Sequence, residues 1–178
     1  MPATPTDILM AEHRIIEKVI AAMDRFAGTL AAGGTLDRPS LEGLVPFMRQ
    51  FADGFHHGKE EDRLFPALVS AGLPAHNGPV QVMCSEHETG RHLVGQLEEA
   101  IATHLAQAGT GTARTLAEAL TALARFYGQH IWKEDNVLFP MAARVLDDGT
   151  QAAILAAFAE VTLPHERHQA LLAFADGL

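Results

Sequence analysis

His56-His57-Gly58-Lys59-Glu60-Glu61-Asp62-Arg63-Leu64-Phe65-Pro66 is echoed by His130-Ile131-Trp132-Lys133-Glu134-Asp135-Asn136-Val137-Leu138-Phe139-Pro140, 74 positions later. The same offset carries Glu12-His13 onto Glu86-His87. In each half the second His follows the first by 43 positions, and a Glu follows that second His by four. The chain is therefore an internal duplication that keeps six candidate metal ligands in register: His13, His56, Glu60, His87, His130 and Glu134. A single His/Glu pair at i, i+4 is ordinarily a surface pair worth tenths of a kcal/mol. Two copies, each with a companion Glu-His, predict a two-metal site between similar halves. Core packing alone would not repeat such groups, because they are poor core fillers unless something compensates them.

The residues around these motifs read as helices. Thr4-Pro5-Thr6-Asp7 predicts a start with Thr4 as N-cap and Pro5 in the first turn. Ile8, Ile15, Ile16, Val19, Met23, Phe26 and Leu30 then recur at roughly helical spacing until Gly33-Gly34. A loop at 35–39 and an N-cap at Ser40 open a second helix, which ends near Gly72. Pro79 opens a third helix running to about Gly109, and a fourth runs from about Thr112 to Leu146. A shorter helix at about 150–162, a break at Pro164 and a last helical piece at 165–175 complete the chain. Pro66 and Pro140 should kink or interrupt the second and fourth helices. Strand signal is scant. The expected fold is all-α: an antiparallel up-down-up-down four-helix bundle over 1–147, with a short C-terminal helical extension over 148–178 packed on it.

Composition bounds the function. A chain of 178 residues with 48% apolar residues fits one globular domain. A net charge of −9 argues against nucleic acid and against an anionic membrane surface as partners. No apolar run approaches the length of a transmembrane span, and residues 1–12 lack the pattern of a secretory signal. The single Cys84 excludes an intramolecular disulfide and fits a reducing compartment, so a cytoplasmic protein is expected.

The chemistry follows from placement. His and Glu at i, i+4 share a helix face, so His56/Glu60 and His130/Glu134 can each reach one point, and four inward faces can meet at one level of a bundle. Four imidazoles, two carboxylates and no thiolate favour iron, with manganese or zinc as alternatives. Among the remaining candidates, Glu61 could orient a neighbouring His, and Tyr127 could lie just outside the ligands. Glu17 and Arg91, each four residues after a candidate ligand, could pair at the site's edge, although an ordinary exposed pairing is the commoner case.

The combination Glu12-His13-Arg14, His56-His57-Gly-Lys-Glu60-Glu61-x-x-Leu-Phe-Pro66, Glu86-His87-Glu-x-Gly-Arg91 and His130-x-x-Lys-Glu134-x-x-x-Leu-Phe-Pro140 resembles the hemerythrin-like (HHE cation-binding) family over about residues 5–147. The resemblance implies two non-haem iron ions with an oxo or hydroxo bridge. It implies imidazole ligation by His13, His56, His87 and His130, with Glu60 and Glu134 as bridging carboxylates. Dioxygen, or another small diatomic or peroxide, is the implied partner, in sensing, carriage or scavenging. An iron-handling or peroxide/nitric-oxide stress enzyme and a metal-stabilised helical interaction module stay open beside it. The oxygen-carrying hemerythrins place a further His four residues after the third-helix His, where this chain has Arg91. His57, the C-terminal His165 and His168, or water are the candidates for that position, with water the default.

Overall fold

The computed structural model describes residues 3–178, and its order is helix upon helix. Helix α1 is Pro5–Ala31. Thr4 accepts from the Asp7 backbone N–H at 3.1 Å while Asp7 accepts from the Thr4 N–H at 2.8 Å, a reciprocal cap that satisfies two otherwise orphaned donors. Helix α2 covers residues 38–70. Its N-cap is Asp37, not Ser40: the Asp37 carboxylate accepts from the Ser40 backbone N–H at 2.9 Å and from its hydroxyl at 2.7 Å. Helix α3 is Pro79–Ala106 and α4 covers residues 110–145. Helices α5 (Asp148–Phe158) and α6 (His165–Gly177) form the C-terminal extension. Among the described residues there is no strand, and no helix is long and apolar enough to cross a membrane.

Pro66 and Pro140 do not break their helices. Helix α2 winds as α over Arg38–Phe47, widens to π over Met48–His57 and Glu60–Leu64, and returns to α at Phe65–Ser70. Helix α4 does the same at Glu134–Leu138 before Phe139–Val145. Each Pro falls in the first turn of the resumed α-helix, where its missing N–H is tolerated. The preceding π turn absorbs the mismatch, and both π segments carry candidate ligands, as π-bulges at functional sites often do.

The core is two apolar clusters with a polar layer between them. Ile16, Phe51, Val94, Leu97, Leu120 and Tyr127 belong to the larger; Leu9, Leu64, Met83, Leu138 and Phe139 belong to the smaller. Along α1, His13 lies between Leu9 of one cluster and Ile16 of the other, and His87 lies similarly between Met83 and Val94 on α3. The extension packs on α1 and α2. Asp176 pairs with Lys18 at 2.6 Å, Arg167 donates to Gln50 at 2.5 Å, and Phe174 lies against Gly43 and Phe47.

A Cβ at position 43 would lie 2.1 Å from the Phe174 ring. Gly43→Ala should therefore displace α6 and destabilise the protein by about 1–3 kcal/mol, read as a fall in thermal midpoint. In a Phe174→Ala background the same substitution should cost much less; an equal cost in both backgrounds would place its effect elsewhere.

Candidate metal centre

Helices α1 to α4 bring all six predicted residues to the polar layer. His13, Glu60 and Glu134 have 0% of their surface exposed, His56 and His87 1%, and His130 2%. Around the two carboxylates, His13 Nε2 lies 3.2 Å from Glu134 Oε2, His130 Nε2 3.4 Å from Glu134 Oε2 and His87 Nε2 3.4 Å from Glu60 Oε2. His56 Nε2 lies 3.7 Å from Glu60 Oε1, and His87 Nε2 3.7 Å from Glu134 Oε1. Both oxygens of Glu60, both of Glu134, and Nε2 of His13, His87 and His130 are buried without a hydrogen-bond partner. Isolated burial of such groups costs several kcal/mol each. Seven such unsatisfied atoms in one buried layer form a donor set that could hold metal cations.

The ligand atoms fall into two groups. His13, His56, Glu60 and Glu134 offer atoms within 4.8 Å of one another, and so do His57, His87 and His130. Of the candidates for the open position, His57 is thus the one brought beside His87 and His130. Its ring stacks on His87 with centroids 3.7 Å apart and planes 6° from parallel, and Tyr127 lies parallel to it. In an α-helix adjacent residues diverge by about 100°. The wider π winding over Met48–His57 turns less per residue, so both His56 and His57 face inward. The C-terminal candidates do not join the site: His168 packs on Phe51 and Phe55, and His165 is in neither ligand group.

Behind every ligand imidazole stands a carboxylate. The Nδ1 of His13 meets Asp135 at 2.7 Å, that of His56 meets Glu12 at 3.0 Å, that of His87 meets Glu61 at 2.6 Å and that of His130 meets Glu86 at 3.0 Å. His57 Nδ1 meets Asp53 at 3.3 Å. A carboxylate accepts only, so each Nδ1 carries a proton and each Nε2 is the nitrogen that would ligate a cation, once any second proton has left it. The outer groups obey the duplication too: Glu12 matches Glu86, and Glu61 matches Asp135. Each of these carboxylates meets a cation: Lys59 on Glu12, Lys133 on Glu86, Arg14 on Asp135, and Arg91 on both Glu61 and Asp53. Lys59 is buried, its ammonium 3.3 Å from the Phe55 ring centroid and near Phe158 of the extension, whereas Lys133 is 41% exposed. The expected pairing of Glu17 with Arg91 is not made. Glu17 pairs with Arg14 at 3.1 Å, because Arg91 is drawn across α2 by Asp53 and Glu61.

Without a cation the electrostatics are frustrated. Burial, and then the charge of Glu134, push the Glu60 carboxyl well above its usual range. Burial works the same way on Glu134, but His130, His13 and His87 outweigh it and hold Glu134 ionised. His13 is raised to about 9: burial opposes its charge, but Asp135 and Glu134 prevail. His87 is raised in the same sense by Glu134 and Glu61 against burial. Burial lowers His56 and takes His57 down to about 3. Protons on Glu60, His13 and His87 thus stand in for part of the positive charge that the cavity requires.

The sequence profile of the hemerythrin HHE cation-binding domain matches residues 4–142. The chain belongs to the hemerythrin HHE cation-binding family. Its similar relatives include uncharacterized proteins of Mycobacterium bovis and Mycobacterium tuberculosis, each 29% identical over 147 residues, 82% of this chain. The chain spans 56% of the length of these relatives. Within this hemerythrin-like chain, the signal that could have found His57 was the adjacent pair His56-His57 beside an Arg at position 91.

The shifts predict a pH profile for the metal-free protein. A group that binds its proton more tightly when folded stabilises at low pH and ceases to do so as pH rises. The His13 contribution is full below pH 6.5 and is lost as pH rises through about 9, and raised His87 and Glu60 act in the same direction. Lowered His56 and His57 act oppositely, costing stability below pH 6.5. The thermal midpoint of the metal-free protein should therefore peak near pH 6.5 and fall towards pH 9. Metal uptake at pH 7 should release protons, read as a dependence of calorimetric enthalpy on the buffer. A flat profile from pH 6.5 to 9, or uptake without proton release, would contradict this charge assignment.

Proposed function

We propose that this chain is a non-haem di-iron protein that binds or reacts with dioxygen or a related small diatomic or peroxide, in sensing, carriage or scavenging. In this reading His13, His56, Glu60, His87, His130 and Glu134 are ligands, with His57 as a seventh. Residues 1–147 are the metal-binding bundle, and 148–178 are an extension that covers one side of it.

The observation that carries the proposal is the unequal division of imidazoles around two shared carboxylates. His57, His87 and His130 form one group, while His13 and His56 share theirs with Glu60 and Glu134. The duplication would put the counterpart of His57 at position 131, where the chain has Ile131, 3% exposed and part of the larger apolar cluster. In this reading the metal beside His13 and His56 has fewer imidazole donors, which favours a small ligand there. With His57 counted, five imidazoles surround the pair, and the shortfall at Arg91 no longer argues against oxygen carriage.

Iron in such a site supplies redox equivalents and an open coordination position. The protein's part is to hold and exclude. Glu60 and Glu134 lie near imidazoles of both groups, the outer carboxylates fix each imidazole's tautomer, and the apolar clusters on either side keep bulk water out. Full burial of the ligands is also what a metal-stabilised helical module would show, so that reading stands as the second.

Glu60→Ala or Glu134→Ala should each abolish binding of two metals per chain, while His92→Ala, on an exposed turn of α3, should leave it intact. Two metals retained in both Glu variants would remove the bridging roles. The function itself is read from the optical spectrum of anaerobic ferrous-loaded protein as oxygen is admitted and swept away. Bands that appear and reverse support carriage or sensing, and irreversible oxidation supports scavenging or an oxidase. No change despite bound iron would leave the structural module.

A further inference from the structure

The duplication is broken at three positions that touch one another in space. His57 has Ile131 as its counterpart, Asp53 has Tyr127, and Arg91 has Glu17. In the half that keeps His57, these side chains form a continuous clamp. Asp53 Oδ1 lies 3.3 Å from His57 Nδ1 and accepts from Arg91 Nε at 2.9 Å. Arg91 Nη2 also donates to Glu61 Oε1 at 2.7 Å, and that same oxygen lies 2.6 Å from His87 Nδ1. One planar guanidinium therefore holds the outer nitrogens of two stacked imidazoles through two carboxylates, a fork that a Lys could not reproduce. The other half has neither clamp nor third imidazole: Glu17 turns to Arg14, and Ile131 joins the apolar cluster.

Space for the arrangement is also specific. Gly90, buried on α3, lies where a Cβ would meet the Tyr127 hydroxyl at 3.1 Å and the Phe126 ring at 3.3 Å. Tyr127 in turn lies parallel to His57, with the planes 2° apart and the centroids 6.1 Å apart. Arg91 is one-third exposed, and its second amino group donates to Glu88 at 2.5 Å. Its reach inward to Asp53 and Glu61 is thus not forced by burial.

We infer that Arg91 is a positioning residue that locks His57 and His87 together as ligands of one metal, and so decides which of the two metals receives three imidazoles. The inference rests on the paired-metal reading above. Position 91 donates no ligand of its own. It instead holds a ligand supplied by the neighbouring helix, and does so through Glu61 and through Asp53, of which Asp53 has no carboxylate counterpart in the duplication.

The test is a two-step Co(II) titration against a chromophoric chelator, with the Co(II) ligand-field bands recorded, on the wild-type chain, Arg91→Ala, Arg91→Gln, Asp53→Ala and Arg91→Ala/Asp53→Ala. Losing an outer partner of a ligand typically weakens metal affinity about 10–100-fold. The expected result is that Arg91→Ala and Asp53→Ala each weaken one of the two Co(II) ions by that factor and change its bands. The other ion should keep its affinity, and the double variant should be no worse than the poorer single, because both act through one clamp. Arg91→Gln, close in size, should show the same selective loss and serves if Arg91→Ala folds poorly. Unchanged affinities for both ions would overturn the inference. So would an equal loss at both ions alongside a lower metal-free melting temperature, the mark of a general fold role. A wild-type chain that takes fewer than two Co(II) ions would overturn the paired centre and this inference together.

Discussion

Four carboxylate oxygens, those of Glu60 and Glu134, sit at the middle of a helical bundle with no hydrogen-bond donor to satisfy them. Two carboxylates so close cannot both ionise in a dry interior unless positive charge is supplied. The surrounding imidazoles supply part of it by holding protons, and bound metal cations would supply the rest. Much of the rest of the fold serves that constraint. Apolar clusters above and below the layer make the environment dry, and the outer carboxylates point each imidazole's free nitrogen inward.

The duplication explains why the outer layer is as regular as the inner one. Glu12 and Glu86 precede their neighbouring His by one residue, yet each serves a His on a different helix: Glu12 on α1 holds His56 on α2, and Glu86 on α3 holds His130 on α4. The Glu-His dipeptide is therefore two halves of two different contacts, which ties α1 to α2 and α3 to α4 in the same way. The departures from symmetry are equally ordered. Lys59 is sealed beneath Phe55 and the extension while Lys133 stays half-exposed, so identical chemistry meets solvent on one side only.

The helix count, the N-cap at Thr4, the breaks at Gly33-Gly34 and Pro164 and the six inward-facing candidate ligands were legible in the sequence, because each rests on local spacing or on an offset that chance does not repeat. What was not legible depended on winding and on long side chains. A helical wheel places His57 away from His56. Both are buried within a π-wound segment, and periodicity reasoning assumes α geometry throughout. The Ser40 cap failed because Asp37 and Pro39 together make a competent start three residues earlier. Arg91 was read against Glu17 by analogy of position. Its long side chain instead crosses to α2, a choice set by Asp53 and Glu61, which are distant in sequence.

The central claim is that two metals share Glu60 and Glu134 but are held by unequal sets of imidazoles. An anomalous-difference map at the iron edge, from crystals of the ferrous-loaded chain, tests it most directly. Two peaks are expected in the polar layer, one bonded to His57, His87 and His130, the other to His13 and His56, and both to the two glutamates. A single peak, or two peaks with His57 outside bonding distance of either, would contradict it.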